Sequence, residues 1–510
     1  MSTRAMSRAR AVRLVALVIA LGMLLRVVLS LALGLGVDES YAVAVARSFA
    51  LSYFDHPPLS FWLAGAAAKL AGSERAIVVR LPFIIMFGGS TWLTYWLGAR
   101  LFGERAGAYG AVALNLSPVF SISTGGWLLP DGPLTLSELA AVACLARILL
   151  YRTPAHSTRW WLGAGVFTGL ALLSKYQGVL LLAGAVLFLV SVPEQRRWLR
   201  QPGPYVMCLV ALALFLPVLI WNARHQWLSF RFQAGRGAPL PGLHPLSLLQ
   251  SLGGQALYVL PWIWLSLVWL LGAGLARGSR DPNHWFFCCL AIGPIAWFAL
   301  AALGGRPGLP HWPAPGYLVL FPLLGAALDA QRSQRRGIVW AWFAGSTTAF
   351  VILVVALAAQ AATGWMTRAA PSLFARGDPF LEALDWRALG PALATRGLPE
   401  PPGRGFVAAT SWFDAGKIAY ALGPSVPVVC LCRHPHEFQF LHPQRDVVGE
   451  DAVLITRGPA DSSAAAAYRT NFRAVEPVGT VMIRRAGRPA VALGVYLGRV
   501  FTSPVPIDSP

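Results

Sequence analysis

Long apolar runs recur through the first 360 positions of the chain and then stop. About eleven of them approach the roughly 20 residues that a helix needs to cross a hydrocarbon core. They lie near 11–36, 80–102, 106–123, 132–151, 160–174, 176–193, 204–222, 249–275, 284–304, 313–330 and 338–360. Nothing in them alternates with period two, which speaks against a barrel, and helices are then the way to satisfy the backbone inside lipid. Beyond 360 the runs become short and are separated by turn residues. Positions 406–410, 426–431, 452–456 and 480–484 predict strands, 413–422 a helix between the first two, and 381–393 another helix. The pattern thus divides the chain into a helical membrane part, 1–360, and a small α/β domain, 361–510, with a Pro/Gly-rich link at 399–404.

Composition agrees with the pattern. The chain is 56% hydrophobic and 13% charged, against roughly 25% charged for an ordinary soluble domain. Its 42 basic and 22 acidic residues are unevenly placed: 27 and 10 of them precede position 361. Most of that excess is a topology signal. With the N-terminus in the cytoplasm, alternate loops carry Arg4, Arg8, Arg10 and Arg13; Arg100 and Arg105; Arg147, Arg152 and Arg159; Arg196, Arg197 and Arg200; Arg277 and Arg280; and Arg332, Arg335 and Arg336. An odd number of spans then places the tail outside. Nucleic-acid binding is not needed to account for the charge. The first run follows arginines as a signal peptide does, but its length and the runs after it predict a retained span.

Carboxylates near hydrocarbon cost several kcal/mol unless solvated or paired, so the ten in the membrane part are informative. Glu104, Glu194, Asp281 and Asp329 fall among the cytoplasmic arginines, and Glu74 and Glu138 have no evident assignment. The other four gather on the outer side: Asp38 and Glu39 after the first span, Asp55 in Tyr53-Phe54-Asp55-His56-Pro57-Pro58, and Asp131 opening the fourth. Each has a structural alternative. Asp38, Glu39 and Asp131 could cap helices, and His56 before two prolines could be a rigid turn. Lys175, one of only three lysines, sits in a short outer turn, where it could snorkel or hold an anion. Arg224, Arg231, Arg236, Arg306 and His311 extend the outer basic set. Carboxylates and cations together at the outer surface suit a lipid phosphate that needs neutralising and an acceptor that needs a base.

The tail offers weaker signals. Cys430 and Cys432 are separated by one residue, so a disulfide between them would be strained, and two thiols alone are a weak metal signal. His434, His436 and His442 near Glu437 fit no firm ligand template. Trp412, Phe413 and Tyr420 could form a sugar platform or simply a core.

In order and spacing, Asp38-Glu39-Ser40-Tyr41, the segment 53–59, Asp131, the segment 173–178 and the segment 309–313 resemble the polyprenyl-phosphate-sugar glycosyltransferases. That family includes the lipid A aminoarabinose transferases and the protein O-mannosyltransferases. The resemblance covers roughly residues 10–330. It implies a GT-C-like polytopic helical fold with outer catalytic loops at 37–79, 123–131, 223–248 and 304–312, and a multi-pass protein of the inner membrane with a periplasmic tail. It implies Asp38 as the base, Glu39 as its supporting neighbour and Asp131 as a second catalytic aspartate. Tyr41, Asp55, His56, Lys175, Arg306 and His311 would bind the lipid phosphate or the sugar. The chain departs at Asp55-His56, where the aminoarabinose branch usually has Glu-Lys. Histidine is charged only conditionally near neutral pH, so phosphate binding there would depend on pH or fall to Lys175. A divalent metal at the Asp55 site is compatible with the resemblance and not required by it.

The chemistry follows from the substrate class. Departure of a lipid phosphate from a sugar builds oxocarbenium character and phosphate charge, which nearby cations stabilise. One base on the opposite face gives a single displacement with inversion. The implied partners are the bilayer, a polyprenyl-phosphate-sugar donor, and an envelope glycolipid, glycan or protein acceptor. The short cytoplasmic loops hold no Gly-rich phosphate loop for a nucleotide sugar. A transporter or flippase of the lipid-linked sugar is the alternative, but no internal repeat is evident and the carboxylates cluster at one surface.

Overall fold

The computed structural model describes residues 6–151, 157–375, 377–398 and 405–504. Arg4, Arg152 and the 399–404 link lie outside the described residues. The chain separates into two compact units, one of Met1–Val27, Leu51–Ser60 and Leu81–Ile352, the other of Val28–Ala50, Phe61–Arg80 and Leu353–Pro510. This division differs from the single boundary expected at 360, because segments 28–50 and 61–80 pack with the tail.

Six helices are long and apolar enough to cross a membrane: Arg8–Ala32, Ala76–Phe102, Asp131–Leu149, Pro202–Arg224, Pro282–Leu303 and Arg336–Thr363. Two bent pairs, Tyr176–Ser191 with Pro193–Arg200 and Pro245–Val259 with Pro261–Arg280, raise the number to as many as eight among the described residues. The protein is therefore a multi-pass membrane protein, but by length and apolarity its helices number fewer than the eleven runs. The run 106–123 breaks into Glu104–Asn115 and a π-helical turn, Val119–Thr124. The run 313–330 splits into Ala314–Leu318 and Phe321–Gln334. At the two bends Val192 and Leu260 leave the helical region just before a proline, as the proline ring requires of its predecessor.

Within the first unit, helix Ser157–Ser174 packs between Asp131–Leu149 and Pro202–Arg224. The glycines of that helix make the approach possible. A Cβ on Gly165 would stand 2.8 Å from the Met207 carbonyl oxygen and one on Gly169 2.7 Å from Leu214, while Gly163 faces Cys144 on the other side. In the same unit Arg26 is buried and satisfied by the break at 117–124, donating from Nε to the Ser121 carbonyl (2.7 Å) and from Nη2 to Ser121 Oγ (3.0 Å).

The second unit is built on five strands: β1 (Gly405–Ala409), β2 (Val428–Cys430), β3 (Asp451–Arg457), β4 (Phe472–Arg485) and β5 (Arg488–Phe501). Their order is β2-β1-β3-β5-β4. The first three are parallel, and β5 is antiparallel to both β3 and β4. All four expected strands are present, and β5 joins them. The helix expected at 381–393 is instead a 3-10 turn, Pro379–Ala383, and a short helix, Leu389–Ala394, because Asp385 turns its carboxylate onto the Arg387 backbone N–H between them (2.9 Å). Helix Trp412–Leu422 starts at Ser411, whose hydroxyl accepts the Asp414 N–H.

That helix holds the short helix Val37–Ala46. Tyr41 lies edge-on to Trp412 and Phe438, with ring centres 5.2 and 5.8 Å apart, and its hydroxyl accepts the Glu437 N–H at 3.0 Å. Lys417 donates to the Leu35 and Leu384 carbonyls (2.5 and 2.8 Å). Arg47 grips both oxygens of Glu74 (2.9 and 2.8 Å) and also donates to the Ala419 and Gly423 carbonyls, the last acceptors of the helix. Glu74, unassigned from sequence, is thus part of the fastening. A helix C-terminus leaves carbonyls without partners; Arg47 supplies a donor to that of Gly423, while the Ala419 carbonyl also accepts the Gly423 N–H.

Candidate active site

In the first unit, loop ends bring six polar residues into electrostatic contact: Asp55, His56, Asp131, Lys175, Arg236 and His311. Asp131 is the first residue of its helix, after Pro130. Its carboxylate makes no capping bond; it pairs with Lys175, Nζ to Oδ1 2.9 Å, with side chains only 5% and 12% exposed. Lys175 is therefore held by Asp131 at the first turn of its helix instead of snorkelling to solvent. Lys175 is aimed by a tight turn. It adopts an extended conformation after the helix ends at Ser174, and Gly178 follows so closely that a Cβ there would stand 2.8 Å from the Ala171 carbonyl carbon.

The loop of Asp55 and His56 is held by helix Leu228–Gly237: Gln233 donates to the Asp55 carbonyl at 2.5 Å, and the Phe54 and Phe232 rings are 4.8 Å apart. Arg236, on the same helix, lies 4.8 Å over the Trp312 ring. His311 sits next to that ring in a loop tied back by hydrogen bonds from Leu240 and His244 to the Gly304 and Leu303 carbonyls. Arg306 donates to the Ala238 carbonyl at 3.1 Å, while Arg236 is the arginine whose charge acts on both histidines. Of the outer basic set, Arg236 is thus the arginine placed nearest the two histidines, and sequence alone could not single it out.

Burial pushes both imidazoles down to about 4, and Lys175 adds to the effect; Asp131 opposes it at both rings and Asp55 at His56. Burial thus favours the neutral form of both rings at neutral pH. The Nδ1 of His56 is buried without a hydrogen-bond partner, a polar atom turned to no protein group. Neutral native imidazoles bind fewer protons than unfolded ones between about pH 4 and the ordinary histidine value near 6.5. Their contribution to stability is present above about 6.5 and lost as pH falls towards 4. The melting temperature of the detergent-solubilised protein is expected to drop over that interval, and less steeply in His56→Asn; an equal slope in that variant would refute the assignment.

Asp38 and Glu39 belong to the second unit. Glu39 is buried and fully engaged, receiving Arg80 Nε at Oε1 (2.7 Å), Arg80 Nη2 at Oε2 (2.6 Å) and the Gly36 N–H (2.9 Å). It closes the N-terminus of helix Val37–Ala46, so the capping reading holds for Glu39. Asp38 is exposed beside it. Tyr41, expected to bind substrate, has its ring and hydroxyl occupied by Trp412, Phe438 and Glu437, which makes it a packing residue. Trp412 also stacks on His436, 4.4 Å between ring centres, while Phe413 is exposed. Among the described residues no three His, Cys, Asp or Glu side chains come together as a metal site.

Residues 55–221 match the family model described as dolichyl-phosphate-mannose-protein mannosyltransferase. Over 269 residues the chain is 24% identical to an undecaprenyl phosphate-alpha-4-amino-4-deoxy-L-arabinose arabinosyl transferase of Yersinia enterocolitica, a match spanning 50% of this chain and 47% of that protein. Over 285 residues it is 25% identical to the lipid A galacturonosyltransferase RgtD of Rhizobium johnstonii, spanning 55% and 58%. The chain thus matches about half the length of these curated relatives. The crystal structure of ArnT from Cupriavidus metallidurans bound to undecaprenyl phosphate superposes with a TM-score of 0.65 over 94% of this chain and 97% of that one, at 17% identity. The fold is therefore the GT-C membrane architecture with a small C-terminal sheet domain. The chain is a relative of the polyprenyl-phosphate-sugar glycosyltransferases.

Proposed function

We propose that this protein transfers a sugar from a polyprenyl-phosphate donor to an acceptor on the extracytoplasmic face of the inner membrane. In this reading its N-terminus is cytoplasmic and its tail periplasmic. The observation that carries the reading is the cluster around the buried Asp131–Lys175 pair. It combines two cations, Lys175 and Arg236, with two neutral imidazoles and a buried nitrogen on His56 that has no hydrogen-bond partner. A phosphate entering such a partly dry site meets preorganised charge, which is worth more there than in water. Lys175 and Arg236 would bind and stabilise the departing phosphate, with His56 and His311 as hydrogen-bonding partners. Asp55 and Asp131 would hold the cations in place. Asp38 would take the acceptor's proton, and a single displacement would invert the anomeric centre.

The acceptor is best sought among envelope glycolipids, lipid A first, in line with the curated relatives. Mass spectrometry of envelope lipids and glycoproteins from cells with and without the gene tests the proposal. A product lacking one sugar, with the lipid-linked donor accumulating on the outer leaflet, is the expected result. Accumulation confined to the inner leaflet would replace the transferase with a flippase.

A further inference from the structure

The pair of cysteines in the tail has a geometry that its spacing in the sequence does not suggest. Side chains alternate across a strand, and here Val429 and Leu431 point into the core beneath the sheet, with Phe406, Ala408 and Leu454. Cys430 and Cys432 therefore share the opposite face. Their sulfurs are 2.6 Å apart, closer than two unbonded sulfur atoms ordinarily approach. Both cysteines line a cleft of about 460 Å³ with Arg433, Arg445, Gln439 and His442 on its walls. Cys430 is 1% exposed and Cys432 8%, so Cys432 is the sulfur that a molecule in the cleft meets first.

We propose that Cys430 and Cys432 form a thiol–disulfide exchange site, with Cys432 as the attacking sulfur, Cys430 as the resolving sulfur and a small carboxylate-bearing disulfide as the reactant. The surroundings divide the roles. Backbone N–H groups of Trp412, His434 and Cys432 itself are directed at the Cys432 sulfur, Trp412 being the first residue of helix Trp412–Leu422. Helix N-termini and N–H donors stabilise a thiolate. Contact with the Cys430 sulfur and these N–H groups hold Cys432 below the ordinary thiol range, while burial and the neighbouring sulfur push the Cys430 thiol far up. Arg433 and Arg445 suit a reactant that carries carboxylates.

The step balances as ordinary exchange. The Cys432 thiolate attacks one sulfur of the reactant disulfide, whose S–S bond breaks and releases one thiolate. Cys430 loses its proton to that thiolate and attacks the Cys432 sulfur, expelling the second reactant thiolate. The protein has lost two electrons, the reactant has become one thiol and one thiolate that takes from solvent the proton Cys432 released on ionising, and a Cys430–Cys432 bond closes a small ring. Ring strain in such a bond makes it readily reversed by a dithiol. The inference stands on the second unit alone and does not depend on the glycosyltransferase reading.

Glutathione disulfide added to the purified full-length protein in detergent, followed by alkylation and peptide mass spectrometry, tests it. In the unmodified protein the peptide carrying both cysteines is expected to lose two hydrogens and escape alkylation. Cys430→Ser should trap glutathione on residue 432, and Cys432→Ser should trap it on residue 430 at least roughly tenfold more slowly, as the difference in thiolate character requires. Arg433→Ala with Arg445→Ala should slow glutathione disulfide by roughly tenfold but leave the uncharged 2-hydroxyethyl disulfide unaffected. Equal trapping in the two serine variants, or full alkylation after oxidation, would overturn the proposal. Equal slowing of both disulfides would overturn the reactant class. Brief iodoacetamide labelling of the unmodified protein needs no variant to fold: modification of Cys432 ahead of Cys430 is expected, and the reverse order would also overturn it.

Discussion

Lys175→Ala is expected to lower sugar transfer by roughly two to three orders of magnitude, the size of effect seen when one preorganised charge stabiliser is removed. Lys69→Ala, at an exposed position in the last turn of helix Leu59–Ala71, should leave transfer unchanged. Two effects contribute to the first loss and can be separated. The Asp131–Lys175 pair is buried, and breaking such a pair from one side strands a charge at a cost of about 3–5 kcal/mol. Part of the loss would then be misfolding. The double variant Asp131→Asn with Lys175→Met removes both charges and should recover most of the thermal stability, because replacing a buried pair by neutral groups of similar size is often close to neutral. If Lys175 also meets the donor phosphate, the stable double variant stays inactive and its apparent affinity for undecaprenyl phosphate falls. Recovery of transfer together with stability would reduce Lys175 to a structural partner of Asp131.

The parts of this protein that were legible in its sequence are those decided by local composition. Charge is so costly in a bilayer that Asp131 and Lys175, isolated among apolar residues, could be picked out without knowing that they touch. The same economy made the six long spans visible. The breaks were not, since hydropathy is averaged over a window, and the bends at Val192 and Leu260 or the π-helical turn at Val119–Thr124 scarcely change such an average. Strands β1 to β3 announced themselves as compact apolar runs. Strand β5 did not, because Gly494 and Gly498 interrupt its pattern and its Val491–Leu497 stretch is buried on both faces for much of its length. Long-range partners decide the rest. Tyr41 looked like a substrate residue because its partner Glu437 lies 396 positions away. Arg236 and Arg306 are equivalent as letters, and only the hydrogen bond from Arg306 to Ala238 and the position of Arg236 over Trp312 distinguish them.

Asp38→Asn should reduce transfer by at least roughly two to four orders of magnitude, the range attributed to a positioned general base, with membrane insertion and melting temperature unchanged. The prediction separates two adjacent carboxylates that differ in burial. Glu39 is committed to Nε and Nη2 of Arg80 and to the Gly36 N–H, so protonating it would disturb a buried ion pair. Asp38 is exposed in the first turn of the same helix. An amide there keeps the size, and Asn is as good a residue as Asp near a helix N-terminus apart from a charge–dipole contribution of about 0.3–1 kcal/mol. A purely structural role would instead predict a lowered melting temperature with little change in the rate of the folded fraction. Loss of the base also removes the acid limb of the pH–rate profile, because no carboxylate has to ionise before the acceptor hydroxyl can attack. Glu39→Gln should do the opposite: it leaves Arg80 without its counter-charge, so melting temperature falls, while the residual folded fraction keeps the acid limb. Near-normal turnover in a well-folded Asp38→Asn protein would remove Asp38 from the chemistry and return the choice of base to the carboxylates of the first unit.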